Sequence, residues 1–241
     1  MKPTRLSVLL LTLTGLSLPT EAETIYQTGF EQPPFISGSL SGQAGWSTLG
    51  SGSTAVQTSS VRSGTQAIGI SPLASLAFVG AARLSGVDLT GRVVTFSIDA
   101  NLGSAGNDSF WTVLGTQYAG GASVADFNIS QSGELVISVN SGGGSTLTGV
   151  FVTRDVWNHY ELVQDLANHT ISAFYNGTPV VTNAPFTPAN NTLFRHGFYA
   201  QGAGTDSAAF DNHSIIAVPE PGTMAFLGLG LLGATLVRRR R

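Results

Sequence analysis

The sequence predicts an all-β sandwich held between two terminal hydrophobic segments. Three observations carry that reading. About 12 short stretches alternate apolar and polar residues at spacings of about 8–15 residues. Turn-forming Gly, Asn, Ser and Asp separate them, with 30 glycines in 241 residues. Between the two ends, no stretch sustains a helical period over three turns.

The N-terminus comes first. Lys2 and Arg5 precede an apolar run of 13 residues, Leu6 to Leu18, and Thr20-Glu21-Ala22 ends in a small residue. That order is a signal peptide over residues 1–22, a helix removed on export and too short for a lasting anchor. The sandwich domain then occupies residues 23–218. Its strands are expected at Thr24–Phe30, Gln66–Ile70, Leu73–Val79, Val93–Ala100, Phe110–Leu114, Ala125–Ser130, Glu134–Asn140, Leu147–Val152, His159–Asp165, Thr170–Tyr175, Thr178–Thr182, His196–Gln201 and Ala208–Ile216. Val93–Ala100 alternates most clearly, with Val94, Phe96 and Ile98 on one face and Thr95, Ser97 and Asp99 on the other. Asn176-Gly177 is a two-residue hairpin turn, because both residue types accept positive φ. Residues 219–241 form the last unit. Pro219-Glu220-Pro221 stands before 16 uncharged residues, Gly222 to Val237, and four arginines close the chain. A membrane span needs about 20 apolar residues. Val218 and the stems of Arg238 and Arg239 lengthen the run, and the arginines orient it with its end in the cytoplasm. A plain anchor has no need of the Pro-Glu-Pro ahead of it.

These C-terminal residues, Val218-Pro219-Glu220-Pro221-Gly222-Thr223, Gly228-Leu229-Gly230-Leu231-Leu232-Gly233 and Arg238 to Arg241, resemble the PEP-CTERM sorting signal of Gram-negative bacteria. The resemblance implies recognition by an exosortase, with Pro219, Glu220 and Pro221 as the sorting motif. It implies a transient inner-membrane anchor, then removal of the tail and release or attachment at the cell surface. Gly222 stands where the family more often has Ser or Ala, which leaves the cleavage point open.

A second resemblance covers most of residues 23–218. Trp157-Asn158-His159-Tyr160-Glu161-Leu162 followed by Thr170 to Gly177 is similar to the Trp-x-x-Tyr-x-Leu and Asn-Gly hairpin of concanavalin A-like jelly-roll sandwiches, especially the laminin-G-like branch. Gly29-Phe30-Glu31 with Gly45-Trp46, and Phe210-Asp211-Asn212 with Ile215, resemble the first and last strands of such domains, which pair. Other Greek-key sandwiches share this patterning.

Composition narrows the function classes. Residues 23–218 hold five basic residues, all arginine, against twelve acids, a net charge of −7. That argues against nucleic acid as a partner. With no cysteine, thiol nucleophiles and thiolate metal sites are excluded. Two-carboxylate glycosidases need paired acids, and the superfamily's hydrolases carry them as Glu-x-Asp-x-x-Glu. No such pattern occurs; Glu161 and Asp165 share a strand face but lie about 13 Å apart. The chain is expected not to be an enzyme. Asp206, Asp211 and Asn212 could ligate calcium through hard oxygens, the one cofactor the sequence suggests. Among the aromatics Trp46, Trp111, Trp157, Tyr118, Tyr175 and Tyr199, sugar stacking is expected of Tyr118, placed in a Gly-rich loop, and of Trp111; Trp46 and Trp157 are expected in the core. His159 and His169 could meet across a hairpin. The expected role is a surface or extracellular-matrix protein that binds polysaccharide, such as an exopolysaccharide matrix, or mediates adhesion. The alternatives are a structural matrix component without a defined ligand and, behind it, a polysaccharide-active enzyme.

Overall fold

A computed structural model describes residues 21–71, 77–103, 109–120, 123–139, 144–186, 190–202 and 206–219. The expected signal segment up to residue 20, and the sorting segment from Glu220 onward, including Pro221, lie outside them. Among the described residues no helix is long and apolar enough to cross a membrane.

The strands in chain order are β1 (Glu23–Thr28), β2 (Gly38–Ser39), β3 (Trp46–Gly50), β4 (Ser53–Gln57), β5 (Ala67–Ser71), β6 (Ala77–Asp88), β7 (Arg92–Leu102), β8 (Ser109–Tyr118), β9 (Ser123–Ile129), β10 (Glu134–Val139), β11 (Ser145–Phe151), β12 (Trp157–Asp165), β13 (Thr170–Tyr175), β14 (Thr178–Pro185), β15 (Thr192–Gly202) and β16 (Ala208–Pro219). They form two antiparallel sheets. One has nine strands in the order β14-β13-β12-β7-β16-β5-β4-β2, with β1 also on β16; the other has seven, β11-β10-β9-β8-β15-β6-β3.

The core lies between them. Alternation sends Val94, Phe96 and Ile98 of β7 and Tyr160 and Leu162 of β12 inward from the first sheet. Trp111 of β8, Phe127 of β9 and Phe198 of β15 meet them from the second. Phe198 stacks on Phe210 with ring centroids 4.2 Å apart, and Phe127 meets Tyr160 edge-on at 5.3 Å. These contacts across the sandwich tie the sheets together and bury the apolar surface that drives folding. At the β13–β14 turn Asn176 and Gly177 take φ of 50° and 76°, the doubly positive turn expected there.

The first and last strands pair, as expected, with Glu23 opposite Ala217. Arg92 of β7 lies opposite Pro219 and forms an ion pair with Glu23. The Pro-Glu-Pro run therefore begins on the sheet itself, since Pro219 is the last residue of β16.

Four expectations change. β2, β3 and β4 fall outside the expected strands; β4 reads Ser-Thr-Ala-Val-Gln and gives no apolar alternation, yet Thr54 and Val56 point inward. β8 continues beyond Leu114 through Gly115-Thr116-Gln117 to Tyr118, where a loop was expected. Trp157 is half-buried on the outer side of β12, because Asn158, Tyr160, Leu162 and Gln164 take the inner positions. His159 hydrogen-bonds to Asp99 at 2.8 Å, and His169 packs near Phe186.

Candidate functional site

The residues expected to stack sugars do not face solvent. Tyr118 is fully buried, and its hydroxyl donates to Gln164 Oε1 at 2.6 Å. Burial pushes its pKa well above the usual phenol value. Because β8 runs on as a strand, Tyr118 falls on the inward side of the pleat. Trp111, on the same side, is also fully buried and packs near Phe210.

The expected calcium ligands do not converge either. Asp206 lies beside β8, where it accepts the Ser109 N–H at 3.2 Å, with Arg154 3.9 Å away. Asp211 sits five residues on, about 16 Å along an extended chain. Its Oδ2 accepts the N–H groups of Arg62 and Ser63 at 3.1 and 3.0 Å. Asn212 accepts from the Ser63 hydroxyl at 2.7 Å. Asp211 and Asn212 tie the segment before β5 to the sheet. Among the described residues no three His, Cys, Asp or Glu side chains are grouped to hold a metal.

A different site lies on the outer face of the seven-stranded sheet. Leu49, Ala81, Ala82, Gly115, Thr116, Gln117, Asp126, Arg195, His196, Gly197, Tyr199 and Gln201 surround a groove of ≈ 290 Å³. Small residues make the hollow. Tyr199 starts on β15 and reaches across β8, and its hydroxyl donates to Asp126 Oδ2 on β9 at 3.3 Å. The strand it crosses carries Gly115, where an added Cβ would come 3.2 Å from Tyr199 Cε1. On its other side β6 carries Gly80, where a Cβ would lie 2.4 Å from Tyr199 Cβ. The ring therefore lies along the sheet surface, in space that the two glycines leave. Gly197 gives β15 an equally close approach to β6: a Cβ there would stand 2.1 Å from the Ala81 carbonyl oxygen.

Asp126 is nine-tenths buried, and Oδ1 accepts the Thr116 N–H at 3.2 Å. Burial pushes its pKa up to about 6; the hydrogen bonds and the nearby Arg195 only partly offset that. Burial, with the neighbouring carboxylate adding to it, pushes the Tyr199 phenol up to about 12. The floor thus offers a phenol ring, a poorly solvated carboxyl and two amides, Gln117 and Gln201, with Arg195 at the wall. Perturbed carboxyls in clefts mark functional sites. The second groove, ≈ 440 Å³ on the nine-stranded sheet, is lined mainly by Ser, Ala and Gly. One of its amides, Gln57, is engaged locally by Ser59 and Ser60.

The sequence carried one signal for the groove. A lone glycine inside a strand marks a close backbone or side-chain approach, and Gly115 and Gly197 are such residues. Nothing in the local sequence brings Asp126 and Tyr199 together, since they meet only across β8.

Comparison with solved structures returns jelly-roll folds of lectins and carbohydrate-binding modules. The chain is similar to the cellulose-induced protein Cip1, with TM-score 0.58 and 15% identity over 79% of this chain and 96% of that one. It is similar to the CBM2 module of the evolved Dit of Lactobacillus casei BL23 phage J-1, with TM-score 0.56 and 11% identity over 84% and 99%. It is also similar to the endo-β-1,4-glucuronan lyase of Trichoderma reesei, with TM-score 0.55 and 12% identity over 74% and 92%. Likeness at such identity shows a shared fold. No curated protein matches the chain in sequence. Residues 217–241 match the family model described as the PEP-CTERM protein-sorting motif. The chain is thus a jelly-roll sandwich carrying the sorting motif of exported, exosortase-sorted proteins.

Proposed function

We propose that this exported protein binds carbohydrate in the groove over β6, β15, β8 and β9, and holds the glycan at the cell surface or in the extracellular matrix without cleaving it. The observation that carries the reading is the Tyr199 ring lying over Gly115 on the groove floor. A ring in this position can offer its apolar face to the C–H face of a sugar, and the Gln201 amide lines the same groove within reach of sugar hydroxyl groups. Structural neighbours include a carbohydrate-binding module and a glucuronan lyase, which supports the same ligand class.

The groups lining the groove support binding over hydrolysis. Hydrolysis by paired carboxylates needs two acids about 5–9 Å apart. Among the described residues lining the groove, Asp126 is the only carboxylate. Tyr199, with its pKa pushed up to about 12, keeps its proton and is a poor base at neutral pH.

Affinity electrophoresis of the full chain against a panel of neutral and acidic polysaccharides tests this. At least one polysaccharide should retard the protein, and Tyr199→Ala should weaken that binding about tenfold, ~1.4 kcal/mol. Trp157→Ala, on the opposite sheet, should leave it unchanged. No retardation by any polysaccharide would sink the reading in favour of a structural matrix component. Equal losses in the two variants would move the site away from the groove.

A further inference from the structure

We propose that the groove selects an acidic glycan and that Arg195 receives the sugar carboxylate. This rests on the carbohydrate reading above and adds the ligand class.

Residues 23–218 contain five arginines and no lysine. Four are committed to the fold. Arg62 lies 3.9 Å from Asp99. Arg83 stands 4.4 Å over the Tyr26 ring and donates to the Ala44 carbonyl at 3.2 Å. Arg92 pairs with Glu23. Arg154 donates to the Gly103 carbonyl at 2.9 Å beside Asp206. Arg195 is different: among the described residues it has no carboxylate within ion-pair distance, and it lines the groove.

Asp126 is close enough for Arg195 to lower its pKa, but the two do not pair. Each oxygen of Asp126 already accepts a hydrogen bond, one from the Thr116 N–H and one from the Tyr199 hydroxyl. The guanidinium fork is left for an oxyanion from outside. Its planar pair of donors matches a carboxylate better than a compact cation would.

The backbone aims the side chain. The register of β15 shifts between Leu193 and Arg195 against both neighbours, β6 and β8. A bulge of this kind redirects the next side chain. In the new register Arg195 lies opposite Leu84 on one side and Gln117 on the other. Leu84 is 64% exposed, an apolar shoulder beside the cation. A uronic acid presents the same pairing, an apolar ring face next to a carboxylate. The net charge of −7 on residues 23–218 repels polyanions elsewhere, so an acidic chain has one favourable place to dock.

The test uses the full chain with polygalacturonate, alginate and polyglucuronate, each beside its carboxyl-reduced neutral form, and with dextran sulfate. At least one uronan should bind about tenfold more tightly than its reduced form. Arg195→Gln should erase that preference without changing the thermal midpoint, and Arg195→Lys should keep part of it. If neutral and acidic forms bind equally through Tyr199, the proposal falls while the carbohydrate reading stands. If Arg195→Gln keeps the preference, Arg195 is not the receptor. Tighter binding of dextran sulfate than of every uronan would overturn the carboxylate assignment. If no polysaccharide binds, both readings fall together.

Discussion

The outer faces of the two sheets use the same residue type in opposite ways. On the nine-stranded sheet Asp99 of β7 accepts hydrogen bonds from His159 and Asn212, both at 2.8 Å, with Arg62 3.9 Å away. Burial works against the ionised form there, but the partners outweigh it and hold the carboxyl below its usual range. On the seven-stranded sheet Asp126 accepts from a backbone N–H and a phenol with Arg195 nearby, but burial wins, pushing it up to about 6. One carboxylate is a structural tie. The other is held charged at neutral pH against the preference of its surroundings. Groups kept at a cost to the fold are expected where a protein binds or reacts.

The glycines of the two faces give the largest expected contrast. Gly197 and Gly69 both lie inside strands, in β15 and β5. A Cβ at Gly197 would meet backbone, the Ala81 carbonyl oxygen at 2.1 Å and Ala82 Cα at 2.9 Å. At Gly69 it would meet only the Gln57 side chain, Cγ at 3.1 Å, with the nearest backbone atom at 3.8 Å. Gly197→Ala must push β15 away from β6 and should cost about 3 kcal/mol or more, while Gly69→Ala should change stability by less than about 0.5 kcal/mol. Chemical denaturation of the two variants checks this. Equal effects would show that the groove face is no more tightly fitted than its opposite.

The aspartates give a smaller contrast with a change of sign. Asp126→Asn keeps the shape and removes a charge that burial disfavours, so it should stabilise the protein at pH 7 by about 1–2 kcal/mol. Asp99→Asn removes the charge that His159 and Arg62 face and should destabilise it by about 1–2 kcal/mol. Thermal melts of both at pH 7 measure the signs. If both variants lose stability, Asp126 is a structural tie as well, and the contrast between the faces disappears.

How much of this the sequence carried depends on whether the signal was local. The period-2 alternation of Val93–Ala100 and the Asn176-Gly177 turn depend on near neighbours, and both appear as expected in β7 and in the β13–β14 hairpin. The pairing of first and last strands came through the likeness to jelly-roll domains. The expectation for Tyr118 differs from the structure because a glycine at position 115 reads locally as the start of a loop. The same glycine is a strand residue under the Tyr199 ring, which arrives from 84 positions further along the chain. The Asp126–Tyr199 contact spans 73 positions, and the desolvation that sets both pKa values is a property of the folded groove. Asp206, Asp211 and Asn212 are close in sequence, but an extended strand separates what a loop would have gathered.

Acid should expose the same contrast, with a smaller net effect. Beneath the groove floor His196 Nδ1 meets His213 Nε2 at 2.8 Å, and His213 Nδ1 bonds to the Ser97 carbonyl at 2.9 Å. Burial holds both imidazoles neutral, with the pKa of His213 lowered to about 4. A folded-state pKa below the unfolded value of about 6.5 means that stability is full above pH 6.5 and falls as pH drops from there toward 4. Asp126 acts in the opposite sense: its folded pKa of about 6 exceeds the unfolded value, so its penalty is relieved as pH falls below 6. His159, with its pKa raised chiefly by the hydrogen bond it donates to Asp99, also gains stability as it protonates. The wild-type protein should therefore lose only about 1 kcal/mol between pH 7 and pH 5. Asp126→Asn, lacking the relief in the groove, should lose more over the same range, so its advantage at pH 7 shrinks as pH falls. Melting curves at half-unit steps measure the difference. A constant gap between the two proteins from pH 7 to pH 5 would mean that Asp126 does not titrate there, and the groove carboxyl would then resemble Asp99.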